Sequence, residues 1–177
     1  MSFEHNGIVA LGKLDPHKQA IAFERRLCQV CEGPLGERLF VVVRPEDVDA
    51  GYAPEPGLHQ QCLRYSEKAC PMLNGTAETY RESGASSHPS LRRCNDPACL
   101  CSIGRFVQRG PGRPARPARD WDAWMLPLEQ YKLRRDADGA AVGIELPSHP
   151  LRIRRIRLSP DRAKAIRMVE ALQALGL

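Results

Sequence analysis

Apolar positions along the chain fall into short runs of differing period. In "DPHKQAIAFERRL" (15–27), Ile21, Phe23 and Leu27 supply apolar contacts. Asp15 is a suitable N-cap and Pro16 a suitable first residue, so a helix is predicted there. "ERLFVVVRP" (37–45) is a continuous apolar run closed by Pro45, the pattern of a buried strand. "HQQCLRYSEKAC" (59–70) predicts a helix that Pro71 ends. Residues 74–93 are polar, with Gly and Ser, and read as loop. Farther on, "WDAWMLPLEQYKLRR" and "AAVGIEL" flank "DADG", a turn signal that predicts a hairpin.

"LRIRRIRL" (151–158) predicts another strand, but strict alternation leaves neither face clean. One extra residue at Arg154–Arg155, a β-bulge, would turn Leu151, Ile153, Ile156 and Leu158 inward and the arginines outward. Ser159 and Pro160 then start a last helix that runs through Leu175. Its stripe of Ala165, Ile166, Val169, Leu172 and Leu175 predicts packing against the hairpin, with a partner or dimer helix as the second reading. Trp121 and Trp124 are expected to anchor the C-terminal part to the core, with base stacking as the other role for them.

Composition narrows the class. A chain of 177 residues suits one compact domain, or a small domain with an appendage. Aromatics make up only 6% and there are 14 Gly and 15 Pro, so the core should be modest and need other support. No run of about 18 apolar residues predicts a membrane span. The first residues, "MSFEHNGIVALGKLDPHK", lack a basic start followed by an apolar run, so no secretory signal is expected. A cytoplasmic address follows. There, seven cysteines are better read as thiolate ligands than as disulfides.

The net charge of +5 is unevenly spread: residues 1–100 carry 11 Lys and Arg against 13 Asp and Glu, and residues 101–177 carry 15 against 8. All the cysteines lie between 28 and 101. The expected organisation is therefore a zinc-binding part (1–104), an Arg/Pro/Gly-rich linker (105–120, "RFVQRGPGRPARPARD") and a basic hairpin, strand and helix (121–177). The predicted fold class is α+β.

Cys28 and Cys31 stand two residues apart, the spacing that lets a tight turn aim two thiolates at one point. Gly33 suits the close backbone approach of such a knuckle. His59 and Cys62 sit at i and i+3 at a helix start, whose positive end favours a thiolate. These four are the expected ligands of one zinc ion. Cys70 lies eleven residues beyond His59, roughly 16 Å along a helix, and cannot join them. With Cys94, Cys99 and Cys101 of "CNDPACLC" it makes a candidate second zinc site, in which His88 could replace one sulfur. Buried free thiols are the plainer reading of these cysteines.

Four protein ligands per site leave no open position, so a structural metal is expected rather than a catalytic one. A deaminase would need Glu where Gln61 stands. No Gly-rich phosphate loop, nucleophile elbow or paired carboxylates appear at usable spacing, so no enzyme is expected. Knuckle, strands and a ligand-bearing helix follow the order of a treble-clef finger, which the chain resembles. That finger also underlies the HNH nucleases, but residues 32–58 contain no histidine for their metal and base roles.

"RLCQVCEGPL", "LHQQCLRYSEKACPML" and "CNDPACLC" together resemble a group of small, uncharacterised zinc-binding proteins of actinobacteria and their phages, over roughly residues 20–135. The resemblance implies metal binding and a cytosolic, phage-linked setting, and implies no reaction. Two partner classes stay open. One is nucleic acid, gripped by Arg152, Arg154, Arg155 and Arg157 of the strand and by Arg109, Arg113 and Arg116 of the linker, with Arg105 and Arg119 beside them. The other is a protein, with the zinc core and last helix acting as an adaptor on a larger machine. A solvated arginine surface is the plainer reading of the basic half.

Overall fold

The computed structural model describes residues 2–5, 8–14, 16–79 and 119–176. Strands β1 (Ser2–His5) and β2 (Ile8–Leu14) form an antiparallel two-stranded sheet at the start of the chain. Helix α1 (Pro16–Arg25) follows; it ends at Arg26, whose φ of 52° is left-handed, and Leu27 N–H closes back on the Ala22 carbonyl at 2.9 Å. Ala22 and Phe23 are its buried contributions, while Ile21 and Leu27 are half-buried.

The expected apolar strand is β3 (Arg38–Val43). Between it and the His59–Cys62 pair lies a helix that no apolar period announces, α2 (Pro45–Ala50). Six residues are too few to hold a helix by propensity alone. Here the Asp47 carboxylate accepts the Arg44 backbone N–H at 3.0 Å and two guanidinium hydrogen bonds at 2.9 and 2.5 Å. Gly51, at φ 77°, ends the helix in the left-handed region. Strand β4 (Tyr52–Ala53) comes next, then α3 (Gln60–Ala69) and the short α4 (Pro71–Asn74).

After residue 118 come β5 (Trp121–Pro127), a 3-10 turn, β6 (Leu133–Arg135), β7 (Ala141–Glu145), β8 (Arg152–Arg157) and α5 (Pro160–Ala174). The turn at Asp136–Gly139 joins β6 to β7 as expected, but β5 is not part of that hairpin. From Asp122 to Pro127 it pairs with the whole of β3, in the sheet β3–β5–β8, while β7 pairs with β4 in the sheet β4–β7–β6. Both three-stranded sheets therefore join strands from the Cys-bearing part to strands from the basic part.

The core lies among Phe23, Leu39, Val41, Leu63, Leu126 and Ile144, all essentially without solvent contact. Each such side chain contributes about 1.5–3 kcal/mol by leaving water. Trp121 and Trp124 are buried here too, as anchors and not as exposed stacking rings; the Arg44 guanidinium lies 5.7 Å from the Trp121 ring centroid. Tyr131 completes the core, its hydroxyl donating to the Phe23 carbonyl at 3.0 Å.

Two expectations about the C-terminal part are corrected. The β8 register passes from Asp122↔Arg155 to Trp121↔Arg157, so the extra residue is Ile156 and not one of the Arg154–Arg155 pair. Regular alternation up to Arg155 leaves Leu151 and Ile153 exposed (52% and 43%), while Ile156 packs on the core. Helix α5 is held at its start: Ser159 caps it and donates from both N–H and Oγ to Asp120, and Arg162 bonds Asp122 at 2.6 Å. Beyond that no residue of α5 is buried, with Val169 at 53% and Leu175 at 75% exposure. The stripe does not pack on the hairpin. No helix among the described residues is long and apolar enough to cross a membrane.

Candidate metal centre

The first ligand pair sits in a tight loop after α1. Leu27 and Pro34 bridge its base, Cys28 N–H donates to the Gly33 carbonyl at 2.8 Å, and Glu32 N–H donates to the Cys28 carbonyl at 3.0 Å. The left-handed residue of this knuckle is Glu32, at φ 59°, and not Gly33. A Cβ on Gly33 would lie 3.5 Å from Cys31 Sγ and 3.7 Å from His59 Cε1, ordinary contact distances, so bulk beside the cluster is not what the glycine avoids. The second pair comes from α3. His59 is its N-cap residue and Cys62 lies in its first turn. The bridge Phe40↔Leu58, with hydrogen bonds of 2.9 and 2.8 Å, ties this helix start to β3.

These elements bring four ligand atoms together. One atom each from Cys28, Cys31, His59 and Cys62 lies within 4.8 Å of all the others, a set that could hold a metal ion. Cys28 and Cys62 are buried, His59 is half-buried and Cys31 is exposed, so the cluster is sealed on the core side and reachable from outside. A tetrahedral ion with metal–sulfur bonds near 2.3 Å would set the sulfurs about 3.8 Å apart, inside this limit.

The imidazole is oriented for the task. His59 Nε2 is 2.8 Å from the Pro34 carbonyl, which can only accept, so Nε2 carries the proton. Nδ1 then turns its lone pair into the cluster, 3.3 Å from Cys31 Sγ. Ligating histidines are held this way, with the second ring nitrogen donating to a carbonyl or carboxylate. The sequence offered one hint of it: the "GP" turn just after the cysteine pair presents a carbonyl at the loop's return. The N-cap side chain makes no capping bond of its own.

The thiols are not equivalent. Burial by itself would raise Cys28, but the backbone N–H groups of Cys31, His59 and Val30, together with the Cys62 thiol, outweigh it and bring Cys28 down to about 7. Cys62 is pushed up to about 12, first by burial and then by its hydrogen bonds to Cys28 and Cys31 and their developing charge. Cys28 is thus the thiol readiest to ionise, and a bound cation would let the others follow.

Of the proposed second site, Cys70 is the only member among the described residues. It stands where α3 passes into α4 and packs on the core. Cys94, Cys99, Cys101 and His88 lie outside the described residues, as do Arg109, Arg113 and Arg116.

The strand arginines do not act as one set. Arg154 pairs with Glu67 of α3. Arg157 lies over Gly75, donates to the carbonyls of Met72 and Ala77 at 3.3 and 3.2 Å, and stands 3.7 Å from Glu78, itself 3.4 Å from Arg119. Arg152 and Arg155 remain exposed. Beside Arg152 and Arg154 opens a cleft that sequence reasoning missed, between α3 and the outer face of β5–β8, with Arg64 of α3 on its other wall. No family model, curated protein or solved structure matches the chain.

Proposed function

We propose that Cys28, Cys31, His59 and Cys62 hold one structural zinc ion in a treble-clef-like finger, and that the protein is a non-enzymatic zinc protein that associates with nucleic acid. Three thiolates and an imidazole are a donor set that zinc prefers, and four protein ligands leave it no position for substrate. Three ligating thiolates also suit a reducing, cytoplasmic setting. His59 is committed on both ring nitrogens, so it is a poor base for an HNH-type cleavage.

The observation that carries the nucleic-acid reading is the exposure of Arg152 and Arg155 on the edge strand β8, with Arg64 facing Arg152 across the cleft. Fixed guanidinium groups on a metal-anchored scaffold are suited to phosphates. The test is salt dependence. Binding to single- and double-stranded oligonucleotides should weaken steeply between about 50 and 200 mM salt. Absence of any shift at the low end would defeat the reading.

A second reading, a zinc-stabilised protein adaptor, is favoured by the exposed apolar stripe of α5. Val169→Asp with Leu172→Asp separates the two. Loss of a defined protein partner with oligonucleotide binding unchanged would support the adaptor.

A further inference from the structure

We infer that the cleft beside α3 seats one nucleotide of a single-stranded nucleic acid, its phosphate held between Arg64 and Arg152 and its base laid on Phe40 and Met125. This rests on the nucleic-acid reading above and names the site within it.

Strand pairing builds the floor. Phe40 is opposite Met125 and Met125 opposite Arg152, so these three share one face of the sheet; Ala123 and Arg154 form the adjacent row. Helix α3 supplies the opposite wall from Gln60, Arg64 and Glu67, spaced four and three residues apart on one helix face. The space enclosed is about 330 Å³, at the small end of ligand sites and sized for a single nucleotide rather than a peptide segment.

The charges select an anion. Three guanidinium groups meet one carboxylate, and that carboxylate, Glu67, is taken by Arg154. Among the described residues neither Arg64 nor Arg152 has an ion-pair partner, and both are exposed, so they keep full reach toward a phosphate. The floor selects the rest of the ligand. A half-buried aromatic ring beside a thioether offers a flat, polarisable surface to a base face, and Gln60 at the rim presents an amide to a base edge. A base can reach that floor only when unstacked, which excludes duplex. Because Cys62 lies on the same helix as Arg64, the metal that fixes the start of α3 also fixes one wall of the cleft.

The experiment is fluorescence anisotropy with labelled dT10 and rU10, a 10-base-pair duplex and an oligoglutamate peptide, on full-length protein at several salt concentrations. Arg64→Ala with Arg152→Ala should weaken single-strand binding at least tenfold. It should also flatten the log–log salt slope by about 0.7, the value for one single-strand phosphate that is no longer neutralised. Arg134→Ala, on β6 in the other three-stranded sheet, should change affinity less than threefold. All the substituted side chains are exposed, and unchanged melting and metal content would confirm folding. A preference for dT10 or for rU10 assigns the sugar. If wild-type protein binds single strands and the double variant binds equally well, the cleft assignment falls while the nucleic-acid reading stands. If wild-type protein binds neither strand at 50 mM salt, both fall. Tighter binding of the duplex, or oligoglutamate binding as tight as dT10, would overturn the nucleotide assignment.

Discussion

Arg44 and Asp47 form the most deeply buried ion pair described in the fold, with Arg44 2% and Asp47 1% exposed. The perturbation is Arg44→Met, which keeps an apolar stem and removes the guanidinium. Asp47 then loses the two guanidinium bonds of 2.9 and 2.5 Å and keeps only the backbone N–H of residue 44 at 3.0 Å. Removing one partner of a buried pair leaves an uncompensated charge and costs roughly 3–5 kcal/mol. Without a cation over the Trp121 ring, about 1 kcal/mol more goes. For a chain of this size each kcal/mol lowers the melting temperature by about 2–4 °C, so a fall of roughly 10 °C or more is expected. Adding Asp47→Leu removes the stranded charge, and the double variant should recover to within about 2 kcal/mol of wild type. Urea denaturation followed by circular dichroism reads all four corners of this cycle. A single variant costing under about 1 kcal/mol, or a double variant costing the sum of its parts, would refute the account.

Native mass spectrometry should find a metal that Cys28→Ser removes and Cys70→Ser leaves at the tetrad, with the larger loss of melting temperature in the first variant. Because Cys62 is held near 12 without metal, uptake at neutral pH must expel its proton: an indicator dye should report acid release on adding zinc, and affinity should rise with pH. Gly143→Ala would place a Cβ 2.5 Å from the Ala53 carbonyl oxygen, forcing apart the β4–β7 ladder at a cost of about 3 kcal/mol; a change in melting temperature of less than 2 °C would contradict this. Burial holds the Tyr131 hydroxyl well above its ordinary value near 10, more than the nearby Arg26 cation lowers it. The unfolded chain therefore ionises first, and this part of the stability is intact below pH 10 and lost as pH climbs past it. Tyr131→Phe should flatten that alkaline decline. It should cost only about 1 kcal/mol at neutral pH, since the Phe23 carbonyl keeps Arg26 N–H at 3.3 Å.

Local features were legible in the sequence. Caps and prolines placed α1, β3, α3 and α5 to within a residue or two of their ends. Ligand spacing alone gathered Cys28, Cys31, His59 and Cys62, because a two-residue turn and one turn of helix each constrain a pair almost completely. What depended on distant partners was not legible. The bulge falls on Ile156 because Trp121 and Asp122 set the register from across the sheet. By charge pattern Arg154 and Arg157 face a ligand, yet one pairs with Glu67, 87 residues earlier, and the other donates to Met72 and Ala77. The break at Pro127, which sends β5 to one sheet and β6 to the other, is hidden in what reads as one continuous strand. Helix α2 escapes because its stability resides in one carboxylate and one guanidinium rather than in any apolar period.

The ion pair between Glu78 and Arg119 means that the chain departs from the fold and returns to it at one spot. The described strands of both three-stranded sheets lie on either side of that closure, β3 and β4 before it and β5 to β8 after it. Closing a loop costs about 0.6 kcal/mol for each doubling of its length. A turn of about five residues joining Thr79 to Arg119 would thus relieve close to 2 kcal/mol of entropy and leave every strand pairing among the described residues in place. A reporter domain spliced between Thr79 and Arg119 would meet the fold at that one closed spot, with its two ends already held together.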